Sequence, residues 1–453
     1  MNDWLAFEEA VLDYTRDITD RAAATGPQRV IQNRWRRMNS FFEYASGTSY
    51  WVSQDVSLAA FQTPPFLKVQ KLSQFSPLKE HLNEPIGGSI GKRALYLQDF
   101  LMGTLSRAVR TSSNSIVLDE KVVRDRIQEL RSLCENPTLD VSIVALLDNF
   151  ALNDGVQLSK SICIRLLSDE EVESFLYSNV IPVAFEHGQS PRVQVPQYGF
   201  PAVEVRIAIE KEVGHGPISS APIDSIKTIN PVFERLADGV ALIDKSRPIL
   251  LGWRTHFANS VIGGMELPHR ASSARGERSA LLSSPGSVAE IYRRMDEVDK
   301  SSVGVRLATR RLGFAVDRQS LEDRLLDSMI ALEALLLNDM TKERGELRFR
   351  LALRAAQFWM TFSKEPEAEY VYDLIRNSYD RRSAIAHGSS IDLSKTARIG
   401  IRALTFEQLV DETQEVARRC ALEATRLVQV HHKYEVPWDT MLRATLRTSD
   451  MET

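Results

Sequence analysis

The segment "YDLIRNSYDRRSAIAHG", residues 372–388, reads as a helix that stops on a histidine, with Arg381 and Arg382 just behind it. On a helix, positions i, i+3 and i+7 share a face. Asp380, Ser383 and His387 therefore form a polar stripe, while Ala384 and Ile385 leave it and can meet a core. Gly388 suits the position just past a helix end, because glycine takes the left-handed backbone that other residues resist. His387 thus belongs to the last turn, where the helix dipole favours a positive charge, and Asp380 is placed to orient its ring.

Arg382 precedes His387 by five positions, which sets the two about 140° apart around an ideal helix. They meet only if the arginine curls round, the last turn distorts, or a second copy of the domain completes the site. The last arrangement points to a dimer. Such a pair has the chemistry for cutting RNA. A histidine can take the proton of a ribose 2′-hydroxyl or give one to the leaving 5′-oxygen. A guanidinium can grip the phosphate as a fork and stabilise the charge that develops on it. The plain alternative is a charged helix end whose histidine satisfies the last carbonyls. A lone Arg–His spacing does not separate the two readings.

Working outward, the pattern is helical almost throughout from residue 288. "SLEDRLLDSMIALEALLL", residues 320–337, has Ser320 as N-cap with Asp323 at N3, and an apolar stripe of Leu325, Met329, Leu332 and Leu336. "GELRFRLALRAAQFWMTF" is a further helix, and Thr405 with Gln408 makes a capping box that opens a last helix to about His432. Glu333 lies beside the apolar stripe, where a carboxylate wants a cation. Arg382 and Arg354 are equal candidates: the first would make Glu333 an orienting group, the second a structural one. Arg381 is placed either to touch phosphate or, more simply, to lie in solvent.

The N-terminal part mixes elements. Residues 1–24 read as an amphipathic helix with Trp4, Phe7, Val11 and Ile18 at helical spacing, and "QRVIQNRWRRMNSFFEYA" as its continuation in helix. "KSICIRLLSDEEVESFL" reads as strand then helix, with a capping box at Ser168 and Glu171. "AVEVRIAIEK" alternates as a half-buried strand, and "GVALIDKSRPILLGWRT" reads as two strands around a turn at Lys245–Pro248. "HRASSARGERSALLSSPGS", residues 269–287, is a polar loop or linker. "IGGSIGKRA" only superficially resembles a phosphate loop: the glycine spacing is one residue short and Arg93 replaces the metal-binding hydroxyl.

The 453 residues are 43% hydrophobic and 26% charged, ordinary for a soluble protein of two or three domains. A net charge of −4 excludes a general nucleic-acid binder. Cys134, Cys163 and Cys420 lie far apart, which argues for a reducing cytoplasm. No metal-ligand spacing, signal peptide or apolar run of spanning length is read, so the expectation is no metal, no cofactor and no membrane. The fold class expected is α+β overall, a mixed N-terminal region followed by an all-α C-terminal bundle. The expected divisions are residues 1–115 (mostly helical), 116–300 (α+β, sensing or regulatory), 301–436 (helical) and 437–453 (tail).

Residues 318–390 resemble an Apea-like HEPN domain. The resemblance rests on "RLLDSMIALEALL", then "GELRFRLALRAAQFW", then "YDLIRNSYDRRSAIAHG", which follow the family's three-part pattern in order. Arg382 and His387 fall on its R-x(4–6)-H motif, with Ser383 at the polar position after the arginine. The resemblance implies a helical bundle that dimerises and brings two such motifs together. It implies a metal-independent endoribonuclease of a bacterial anti-phage or toxin system, leaving 2′,3′-cyclic phosphate ends on its RNA substrate. A phage-derived or protein trigger would act through the N-terminal region. Inactive members only dimerise or bind RNA or a nucleotide, which is the alternative here. Ser389 stands where toxins neutralised by adenylylation carry a tyrosine.

Overall fold

A computed structural model describes residues 2–441 except 27, 52–59, 77, 83, 89–90, 112–114, 182, 184–189, 215–221, 258–260, 262–268, 271–281, 340–345, 389–394 and 439. The fold is mixed α and β, with the sheets in the N-terminal half and a helical C-terminal region. Two compact units account for it. One comprises residues 1–147, 159–230 and 250–274; the other comprises 148–158, 231–249 and 275–453. These divisions run elsewhere than at the expected 115/116 and 300/301. In particular, helix Pro285–Ser301 belongs with the C-terminal helices.

In the strand-rich unit, helix α1 (Asn2–Thr25) buries Trp4, Phe7, Val11 and Ile18, as their spacing predicts. The stretch after it is not helical. Strands β1 (Gln28–Arg37) and β2 (Phe41–Trp51) form an antiparallel hairpin with Trp35 opposite Tyr44. The physical reason lies in the pairing. Trp35 and Phe42 are buried and the Trp35 and Tyr44 rings lie 5.5 Å apart, a cross-strand contact that local helix propensity does not anticipate. Helices α2 (Pro64–Leu72), α3 (Leu97–Ala108) and α4 (Glu120–Glu135) follow.

The centre of this unit is antiparallel. Strand β3 (Thr138–Asp148) pairs with β5 (Pro201–Glu210), which pairs on its other side with β4 (Ile162–Leu166). Helix α5 (Asp169–Tyr177) starts at the predicted capping box, with both reciprocal bonds of Ser168 and Glu171 formed. Alternation along β5 holds only beyond Arg206. Before it both faces are buried, and Glu204 is 5% exposed. The stretch 239–244 is helix rather than strand. It ends helix α6 (Pro222–Asp244), whose residues from Pro231 onward, with Leu236, Ala237 and Val240 buried, belong to the helical unit. A short apolar run fits a buried helix as well as a strand. The expected second strand is present as β6 (Ile249–Phe257). Most of the expected 269–287 linker lies outside the described residues.

The helical unit contains α7 (Pro285–Ser301), α8 (Val303–Asp317), α9 (Leu321–Leu336), α10 (Leu347–Met360), α11 (Ala368–Ala386) and α12 (Phe406–His431). The predicted stripe Leu325, Met329, Leu332 and Leu336 is fully buried, and Trp359 and Phe358 fill the same core. Ser320 caps α9 through the Asp323 N–H, and Thr405 with Gln408 caps α12 by a complete box. A small hairpin, β7 (Ala397–Ile399) and β8 (Arg402–Leu404), precedes α12. No helix among the described residues is long and apolar enough to cross a membrane.

Candidate functional site

Helix α11 buries Val371, Leu374, Ile375 and Ser378, a run at i, i+3, i+4 and i+7. Ser378 is tied to α12 by a 2.7 Å hydroxyl bond with Thr413. The helix stops where the sequence predicts. His387 is its C-cap, its N–H donating to the Ser383 carbonyl at 3.1 Å, and Gly388 turns away at φ +69°. That backbone costs glycine little and a side chain more. His387 is exposed, and among the described residues no side chain is hydrogen-bonded to its ring.

Arg382 reaches across to α9. Its Nη2 lies 3.3 Å from Glu333 Oε2, and its Cζ lies 5.8 Å from the centre of the Tyr379 ring. Of the two partners the sequence left open for Glu333, the arginine it meets is Arg382. Arg354 is engaged elsewhere, on Asp339 at 2.6 and 3.1 Å and on the Leu336 carbonyl. Burial pushes the Glu333 carboxyl up, and the Arg382 charge opposes this. The Arg382 guanidinium is under-satisfied: its Nε is buried and has no hydrogen-bond partner. A buried donor in that state costs about 1–3 kcal/mol.

The other expected residues divide. Ser383 is half-buried one turn before His387, and its carbonyl accepts the His387 N–H. Asp380, expected to orient the His387 ring, is instead ion-paired at 2.5 Å with Arg348 on α10, a partner that the sequence does not suggest. Arg381 is half-buried, and its Nη2 donates to the Lys395 carbonyl at 3.3 Å in an exposed bond. Arg348 is the notable omission. Its Nε is also buried without a partner, and its place on an arginine-rich helix was the only signal for it. Two guanidiniums with an unpartnered Nε thus lie along the last two turns of α11, Arg382 on the helix and Arg348 against Asp380, with exposed His387 at its cap.

Compared with family models, curated proteins and solved structures, the chain matches none.

Proposed function

We propose that the helical unit is a metal-independent endoribonuclease of the HEPN type. The observation that carries this reading is the under-satisfied Arg382, held by Glu333 on the helix that His387 caps. In the reaction, the ribose 2′-oxygen attacks the adjacent phosphorus and the bond to the 5′-oxygen breaks. His387 accepts the 2′-hydroxyl proton or donates one to the 5′-oxygen. Arg382 binds the phosphate and stabilises its developing charge. Glu333 orients Arg382, and Ser383 and the Arg348–Asp380 pair position the helix end. The products are a 2′,3′-cyclic phosphate and a 5′-hydroxyl.

In this reading the protein is cytoplasmic and dimeric, each copy contributing an Arg382–His387 pair to a shared cleft. The strand-rich unit senses a phage-derived or protein trigger, or holds the nuclease off. Expression in bacteria tests it. Growth arrest by the wild type, relieved by Arg382→Ala with His387→Ala at equal protein level, is the expected result. Arrest that survives both changes overturns the proposal. One observation favours a non-cleaving, RNA-binding module instead, namely that Arg382 already has a carboxylate partner. RNA retention without cleavage, lost in Arg382→Ala, would mark that outcome.

A further inference from the structure

A cavity of about 410 Å³ lies in the helical unit, on a part of it that Arg382 and His387 do not share. That volume falls within the range of small-molecule sites, roughly 300–1,000 Å³. Its floor is apolar, built from Ala241, Leu312 and Val316. Four cations line it, Lys245, Arg318, Arg324 and Arg418, against two carboxylates, Asp411 and Glu415.

The cations come from four separate segments. Lys245 follows α6, Arg318 ends α8, Arg324 is on the first turn of α9, and Arg418 is on α12. Each is paired with a carboxylate: Lys245 and Arg418 with Glu415, Arg324 with Asp411, and Arg318 with Asp327. Arg418 is a fixed wall: it is 16% exposed, and it donates to the Leu242 carbonyl and to Glu415 at 2.7 Å. Arg324 is steadied by Asp411 at 2.6 Å and Gln414 at 2.7 Å. Lys245 and Arg318 are the more exposed pair. Their side chains are 63% and 46% exposed, and their present partners are Glu415 and Asp327. The Lys245–Glu415 pair, with its exposed lysine, is worth only about 0–1 kcal/mol, so a phosphate can take the place of Glu415 there, while Arg318 keeps its bond to the buried Asp327.

We infer that this cavity binds a phosphate monoester of mononucleotide size, its phosphate on Lys245, Arg318 and Arg324 and its body on Leu312 and Val316. Guanidiniums recognise phosphate by paired, charge-assisted bonds, and the four cations still outnumber the three carboxylates paired with them, Asp327 included. The inference is independent of the nuclease reading, since none of these residues is assigned to that chemistry.

The test is calorimetry and thermal shift on the full-length protein with AMP, UMP, ribose 5-phosphate, adenosine and inorganic phosphate. Saturable binding of a mononucleotide is expected, with adenosine and inorganic phosphate weaker by about tenfold or more. Lys245→Gln and Arg324→Gln should each weaken it by about tenfold, and Lys245→Gln, exposed and helix-flanking, should leave the unliganded melting temperature unchanged. Absence of saturable binding for every phosphate ester, equal binding by Lys245→Gln and wild type, or inorganic phosphate binding as tightly as the esters would each overturn the assignment.

Discussion

Glu171 in the strand-rich unit accepts from both Arg165 Nη atoms, from Arg254 at 2.6 Å and from the Ser168 N–H. Glu333 in the helical unit has one arginine contact, at 3.3 Å. The same two residue types produce opposite states. Burial works to raise the Glu171 carboxyl, but its arginine and backbone bonds outweigh that and hold it at about 2. Glu204, bonded by Arg206, Arg165 and Ser142, is likewise held at about 2 against the effect of burial. At Glu333 burial wins and the carboxyl is pushed up. The difference lies in the carboxylates, since Glu171 gathers two arginines and a backbone N–H where Glu333 has one arginine, while Arg254 Nε and Arg382 Nε are both buried without a hydrogen-bond partner.

The comparison breaks first at Glu171. Glu171→Gln leaves Arg254, 8% exposed, without its carboxylate, and should cost about 3–5 kcal/mol in urea unfolding. A loss under about 1 kcal/mol would mean the network is dispensable. Glu333→Gln should behave the other way. Stability at neutral pH stays within about 1 kcal/mol of wild type, while RNA cleavage falls about tenfold to a hundredfold because Arg382 loses its orientation. A stability loss as large as that of Glu171→Gln would make Glu333 structural.

The pH dependence sharpens the contrast. The Glu171 and Glu204 values lie below their ordinary 4.5, so their stabilisation is present above that value and is lost as pH falls toward about 2. Glu333 is shifted the other way, so its folded form prefers the proton. Its contribution favours folding at low pH and declines as pH rises past 4.5. Unfolding free energies of wild type and each Gln variant from pH 2 to 7 should therefore diverge with opposite slopes. The smallest expected effect lies in the two capping boxes. Ser168→Ala and Thr405→Ala should each cost about 1 kcal/mol, and a negligible change at either would show that box to be redundant.

Much of the helical unit is legible in the chain because its signals are local. Ser320, Thr405 and Gly388 mark helix ends, and Leu325 to Leu336 mark a buried stripe. The hairpin at 28–51 and the helix at 239–244 are not, because their state is set by long-range packing around Trp35, Phe42 and Leu236 rather than by spacing. At the site, the Arg382–His387 stretch is visible in sequence, and the chain leaves two candidate partners for Glu333. The Arg348–Asp380 pair joins residues on two helices, and no single stretch records it.

The most direct measurement is RNA cleavage in EDTA by purified wild type, Arg382→Ala and His387→Ala, with single-stranded RNA and total tRNA as substrates and the fragment ends determined. Fragments with 2′,3′-cyclic phosphate ends from the wild type alone are the predicted result. Equal cleavage by the variants, or products lacking cyclic phosphate, would contradict the assignment of Arg382 and His387.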